Sequence, residues 1–357
     1  MSKRVIIPQE STSRRLSERE RDILRTIIHM YILNAAPIGS RVLSKYLQNE
    51  LKLSPATIRN VMSDLEDMNF ITHPHTSAGR VPTDMGYRYY VDTLMQNEKL
   101  SPAEIKRVDE KLETVEPAEP EAILRDTSKL LGFLSNCLAV VEIPHLIDLK
   151  VEKIELISLS STRLLVVLAL DSQIVRTVTI EAEFEVKRQE IARISELINE
   201  RISGRPLKFL EKNFKEIISD SSYAKTPLVR LFVESIDKVF NPNYYRERLH
   251  ISGTQNLLEN PEFEDVSRVR SVIELVENED VIVHVLDKND ALSGDLRILI
   301  GSEMDNKMLD DYSLISTKYC IGSASASIGL IGPKRMNYSH LTALIQYVGS
   351  KISEKNS

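Results

Sequence analysis

Little in this chain speaks for redox, metal or membrane chemistry. Two cysteines, Cys137 and Cys320, stand among 357 residues. Both lie in apolar surroundings, which argues against a disulfide framework or a metal knuckle and suits small core residues in a reducing cytoplasm. Long hydrophobic runs are missing too. The densest, Leu164 to Leu170, holds seven residues, far short of the roughly 20 that a membrane helix needs, and it reads as a buried strand. The N-terminal stretch MSKRVIIPQESTSRR joins a basic start to a short apolar run, so it is not expected to be a signal peptide. Seven histidines form no ligand cluster. His73 and His75 share a strand face but have no cysteine or carboxylate beside them, so neither a metal nor another cofactor is expected. The run GLIGPKR fails as a phosphate loop because Lys334 lies between Pro333 and Arg335, and a strand-end turn is the better reading. No G-x-S-x-G elbow is present and no carboxylate pair stands out from surface charge, so an enzyme is not expected.

What is present suits a soluble protein: 42% hydrophobic and 27% charged residues. The length implies two or three domains. The net charge of -6 is unevenly spread. Residues 1–62 carry 11 Lys and Arg against 5 Asp and Glu, so the acidity belongs to the rest of the chain. A basic N-terminal segment is what a nucleic-acid module needs.

That segment has a recognisable order. Residues 17–35 form a helix with Ser17 and Glu20 at capping-box spacing and an apolar stripe through Ile23, Leu24, Ile27 and Ile28. Pro37 and Gly39 break it. A short helix over 40–49 follows, with Val42, Leu43, Tyr46 and Leu47 expected inward. A third helix begins at SPATIRN, where Ser54 caps and Pro55 fits the first turn. At 100° per residue, Ile58, Val61, Met62 and Leu65 share the inner face. Thr57, Arg59, Asn60 and Ser63 fall on or beside the outer one. Asp64, Glu66 and Asp67 make its last two turns acidic, so only the N-terminal half could approach phosphate. Two short strands then flank a Thr76-Ser77-Ala78-Gly79 turn, and a helix over 84–95 carries Tyr87, Tyr90, Val91 and Leu94. Three helices, a hairpin and a helix are the parts of a winged helix-turn-helix, whose third helix enters the major groove. Taken alone the third helix reads more readily as a core helix with Arg59 and Asn60 in solvent; its neighbours favour the DNA-reading role, and winged helices also bind proteins.

Beyond residue 97 come a linker, a polar helix and the loop VEPAEPEA. A helix over 121–135 leads into the strand CLAVVEI. Residues 151–181 read as a three-strand antiparallel meander, with turns at Ser160-Ser161-Thr162 and Asp171-Ser172-Gln173. Helices are expected over 187–203, 207–219 and 227–240. The last carries an apolar stripe of Leu228, Leu231, Phe232, Ile236 and Val239, expected to be exposed as a dimer interface. VIVHVLD, DLRILIG, LISTKYCIG and SIGLIG read as strands, and an amphipathic helix over 339–353 closes the chain.

LSERERDILRTIIHMYILNAAPIGSRVLS and LSPATIRNVMSDLEDMNFITHPHTSAGRVPTDMGYRYYVD resemble the N-terminal domain of the bacterial heat-inducible transcription repressor HrcA family. STRLLVVLALDSQIVRTVTIE, ISGTQNLLENPEF and LISTKYCIGSASASIGLIGPKRMNYSHLTALIQYVG resemble the rest of it. The resemblance implies a multidomain α+β protein: a winged helix-turn-helix, a GAF-like α+β domain, and a dimerisation domain of antiparallel sheet plus helices inserted in the latter. The boundaries expected here are a basic extension over 1–16, the winged helix over 17–96, a linker over 97–103, the GAF-like domain over 104–145 and 251–352, the insert over 146–250, and a tail over 353–357. It also implies a cytoplasmic homodimer that binds an inverted-repeat DNA operator to repress chaperone genes. Its activity would be maintained by the GroE chaperonin and lost under stress. Arg41, Lys45, Lys52, Thr76, Ser77 and Arg80 are then expected on phosphates or the minor groove. Thr57, Arg59, Asn60 and Ser63 are expected at base edges. The alternative is a winged-helix regulator controlled by a small-molecule ligand of the GAF-like domain.

Overall fold

The computed structural model describes residues 16–48, 53–74, 79–96, 98–113, 120–144, 149–171, 175–219, 226–240, 249–263, 265–287, 296–321 and 324–355. The N-terminal extension before residue 16, most of the loop VEPAEPEA, Ser172 and Gln173, and the candidate contacts Lys52, Thr76 and Ser77 lie outside them.

The N-terminal unit is built as its sequence suggests. Helix α1 (Glu18–Asn34) starts on the Ser17–Glu20 capping box and buries Ile23, Leu24, Ile27, Ile28 and Met30. Helices α2 (Ser40–Tyr46) and α3 (Pro55–Asp67) follow, then strands β1 (Ile71–Thr72) and β2 (Val81–Pro82), which pair antiparallel. Helix α4 (Asp84–Tyr89) runs on as a π-helical turn to Leu94. Tyr87, Tyr90 and Leu94 of this segment are buried, as expected.

Helices α5 (Pro102–Glu113) and α6 (Pro120–Ser135) lead to β3 (Leu138–Glu142) in a five-stranded antiparallel sheet of order β7-β3-β10-β9-β8. Its other strands are β7 (Leu249–Ser252), β8 (Leu296–Ile300), β9 (Tyr312–Ile321) and β10 (Ala324–Pro333). The chain thus leaves this sheet at Glu142 and rejoins it at Leu249, directly beside the strand it left. The sheet is buried on both faces. Ala139, Val141, Ile315, Ile328 and Leu330 belong to the same core as Leu341, Leu344 and Val348 of the closing helix α14 (Tyr338–Lys355). Leu138, Val140, Leu314 and Ile331 face the opposite way, against α11 (Thr254–Leu258), α12 (Val266–Glu277) and α13 (Glu279–Asp287). Gly329 leaves room there for Leu286, which would lie 3.2 Å from a Cβ.

Helix α13 corrects the expectation of a strand at VIVHVLD. Ile282, Val283, Val285 and Leu286 are buried while His284 is exposed. Its β-branched residues favour a strand locally. Packing against the sheet overrides that preference, and Glu279 and Asp280 in the first turn suit the positive end of a helix.

The excursion between β3 and β7 forms a separate three-stranded sheet, β4 (Val151–Ser158), β5 (Arg163–Leu170) and β6 (Val175–Glu181), in that order. Helices α7 (Arg188–Ile202), α8 (Leu207–Ser219), α9 (Pro227–Glu234) and α10 (Ile236–Phe240) accompany it. β5 alternates fully buried Leu164, Val166 and Leu168 with partly exposed neighbours, so one face of the sheet requires cover. That requirement overturns the exposed stripe expected for 227–240. Leu228, Phe232 and Val239 are 0% exposed, and Leu231 and Ile236 are half-buried against the same core. The helix also breaks at Ser235, and the Phe240 ring packs 5.0 Å from Phe214. The stripe is consumed inside the chain.

Candidate nucleic-acid interface

The recognition candidate α3 is capped at its start and buried along one face. The Ser54 hydroxyl accepts from the Thr57 amide at 3.1 Å, satisfying a free donor of the first turn. Ile58, Val61, Met62 and Leu65 are buried against the winged-helix core. Four residues on this stripe leave the opposite face open. Arg59, Asn60 and Ser63 are exposed and lie within about 100° of one another around the axis. Among the described residues none of these three side chains makes a hydrogen bond or ion pair. Thr57 differs: it is half-buried and its hydroxyl lies 2.9 Å from the Ser54 hydroxyl, so it completes the cap.

Helix α2 contributes a second surface. Arg41 and Lys45 are exposed and have no partner among the described residues. Val42 and Tyr46, expected inward, are 52% and 55% exposed. Leu43 and Leu47 alone reach the core, because residues one position ahead fall about 100° away on so short a helix. The outer face therefore reads Arg41-Val42-Lys45-Tyr46: two cations alternating with an aliphatic and an aromatic group. The useful signal was the i, i+4 pair Leu43 and Leu47, which already satisfies a two-turn helix.

The wing is tied down at two places. Ile38 and Arg80 exchange both backbone hydrogen bonds at 2.9 Å, adding a third element to the β1–β2 ribbon. Only glycine fits at position 79, where a Cβ would stand 2.5 Å from the Ile38 carbonyl carbon and oxygen. The Arg80 side chain is expected on phosphate, yet here it turns to the helix. Its guanidinium meets the Glu66 carboxylate at 2.7 Å, and His73 bridges the two, with its Nδ1 on Glu66 and its Nε2 on Arg80. Glu66 is thereby neutralised, which relieves part of the acidity of the last turns of α3. Arg80 is correspondingly occupied. His73, considered above for a metal, serves this network, and His75 lies outside the described residues.

Comparison with known proteins fits this geometry. Residues 15–95 match the family model for the winged helix-turn-helix transcription repressor, HrcA DNA-binding, and residues 121–341 match the HrcA protein C terminal domain. The chain is 38% identical to a heat-inducible transcription repressor HrcA of Chlorobium phaeobacteroides (strain BS1), covering 96% of this chain and 99% of that protein. It is 37% identical to one from Chlorobium chlorochromatii (strain CaD3), covering 95% and 97%. A crystal structure described as a hypothetical protein at 2.2 Å resolution aligns over 96% of this chain and 98% of its own, with a TM-score of 0.64 and 25% identity. With both of its parts matched and relatives similar along nearly their whole length, the chain belongs to the HrcA family of heat-inducible transcription repressors.

Proposed function

We propose that this protein represses heat-shock genes as a homodimer, each winged helix reading one half of an inverted-repeat operator. The observation that supports this most is the exposed row Arg59-Asn60-Ser63 on the first turns of α3, flanked by the exposed cations Arg41 and Lys45 on α2, none of them with a side-chain partner among the described residues. Arginine and asparagine are suited to guanine and adenine edges in the major groove, while Arg41 and Lys45 suit phosphates. Thr57 supports the helix start, and Val42 and Tyr46 offer apolar contact to sugars. Lys52, Thr76 and Ser77 remain proposed backbone contacts by their sequence position. On this reading the five-stranded unit is the GAF-like domain and the excursion between β3 and β7 is the dimerisation domain. Two-fold operators call for two-fold proteins, so sedimentation at micromolar concentration should show a dimer, and a monomer would refute that part. The GroE chaperonin is proposed as the partner that keeps the repressor active. Adding purified chaperonin should raise operator affinity, and unchanged affinity would remove it from the scheme.

The central experiment is a salt-titrated gel shift with symmetric and scrambled duplexes. The symmetric duplex should bind more tightly at every salt concentration, and equal binding would refute sequence-specific recognition. Glu66→Gln adds a second arm. Freeing Arg80 from Glu66 should tighten binding to both duplexes and steepen the salt dependence by about one phosphate contact. An unchanged slope would mean that Arg80 makes no phosphate contact even when released from Glu66.

A further inference from the structure

The run GLIGPKR, set aside as a phosphate loop, ends at the joint between the winged helix and the five-stranded sheet. Lys334 follows β10 directly, and its ammonium lies 2.6 Å from the Asp84 carboxylate in the first turn of α4. One turn further along α4, Arg88 donates through Nε to Glu303 at 2.8 Å and through Nη2 to the Ile298 carbonyl at 2.7 Å. Glu303 lies in the 3-10 turn Gly301–Met304 that follows β8, and its carboxylate also accepts from the Ile300 amide at 2.9 Å. The same turn presents the Ser302 amide to Asp84 at 3.3 Å. Close approach there requires glycine: Gly301 has φ of +51°, and a Cβ would sit 2.3 Å from Asp84 Oδ2. Arg335 adds a third strut, donating to the Ile32 carbonyl near the end of α1 at 3.0 Å while bound to Glu262 at 2.9 Å.

These contacts share two properties. They join α4 and the end of α1 to the ends of β8 and β10, leaving the exposed face of α3 uncovered. They are also mostly ionic and partly wet, with the four side chains of the two α4 pairs 20% to 30% exposed. Beside them Tyr87 lies with its ring 6.0 Å from that of Tyr338, both buried in one core shared by the winged helix and the sheet. The charged pairs, partly in solvent, hold an angle more than they add to that core.

We infer that the Asp84–Lys334 and Arg88–Glu303 pairs are spacing determinants: they fix the angle between recognition helix and body, and so select operators by the distance between half-sites. This rests on the two-site DNA reading above. In a dimer the separation and phase of two α3 helices depend on the angle at each joint, and DNA changes phase fully within 10–10.5 base pairs. A rigid joint accepts one spacing. A loosened joint accepts several, at the cost of ordering on binding.

The test uses inverted-repeat duplexes that the full-length wild-type chain recovers from a random pool, rebuilt with the centre lengthened by two and by five base pairs. Wild type should lose at least about tenfold in affinity at the longer spacing. The double variant Lys334→Gln/Glu303→Gln should bind all three within about threefold, with its single half-site affinity and melting temperature near wild type. Lys334→Gln alone, which leaves the Glu303 cap intact, should give an intermediate spread and covers the case in which the double variant folds poorly. If the variants keep the wild-type spacing preference, the inference is overturned while the DNA reading stands. If wild type itself ignores both symmetry and spacing, both fall together.

Discussion

Replacing Asn60 with alanine should relax base preference at one position of each operator half-site by about 1–3 kcal/mol and leave the salt dependence nearly unchanged. The reason is geometric. Asn60 stands on the open face of α3, exposed, without a side-chain partner among the described residues. Its amide can offer both a donor and an acceptor to one adenine edge, and alanine can offer neither. No charge is lost, so counterion release is preserved. Fold is preserved too, because the buried stripe Ile58, Val61, Met62 and Leu65 is untouched. Arg59→Ala should differ in kind. It removes a cation as well as a possible guanine contact, so both affinity and salt slope fall. Quantitative binding to all single-base variants of the half-site separates the two. If Asn60→Ala shifts neither affinity nor preference, α3 sits in the groove at a different roll from the one its burial indicates.

Much of this candidate surface is legible in the sequence because the local rules agree with one another. The Ser17–Glu20 capping box, the Ser54-Pro55 helix start and the stripe from Ile58 to Leu65 are short-range features, and each appears where expected. The meander of β4 to β6 was legible for a similar reason, since alternation in Arg163–Leu170 reports one wet and one buried face. What escaped depends on distant partners. Asp84 and Lys334 are 250 residues apart, and nothing local marks either as half of a joint. Arg80 looked like a phosphate ligand because its partner Glu66 belongs to the preceding helix, across the wing. VIVHVLD reads as a strand although it folds as a helix, because a β-branched run buried nearly all round carries no clear period of two or of 3.6. Val42 and Tyr46 point outward against the simple rule that apolar residues turn inward, because protein surfaces remain largely apolar.

Phe232→Ala should cost about 3–5 kcal/mol of folding stability, which is the usual range for emptying an aromatic site in a packed core. The ring is fully buried, and its helix is held by a Thr226 cap and packed over the same core as Leu164, Val166 and Phe214. Domains of this size retain only about 5–15 kcal/mol in all, so the change should lower the melting transition of the excursion by about 10 °C or more. The sequence pattern had suggested a different outcome, in which the 227–240 stripe meets a second copy and its loss merely splits a dimer. Dilution tells these apart. An interface residue lowers the melting temperature at high protein concentration, and its effect vanishes once wild type is also dissociated. A core residue lowers it by the same amount at every concentration. Leu231, half-buried at the edge of the same helix, provides the internal scale: Leu231→Ala should cost clearly less than Phe232→Ala. If Phe232→Ala instead melts like wild type in dilute solution and differs only when concentrated, the side chain is covered by a partner rather than by its own chain.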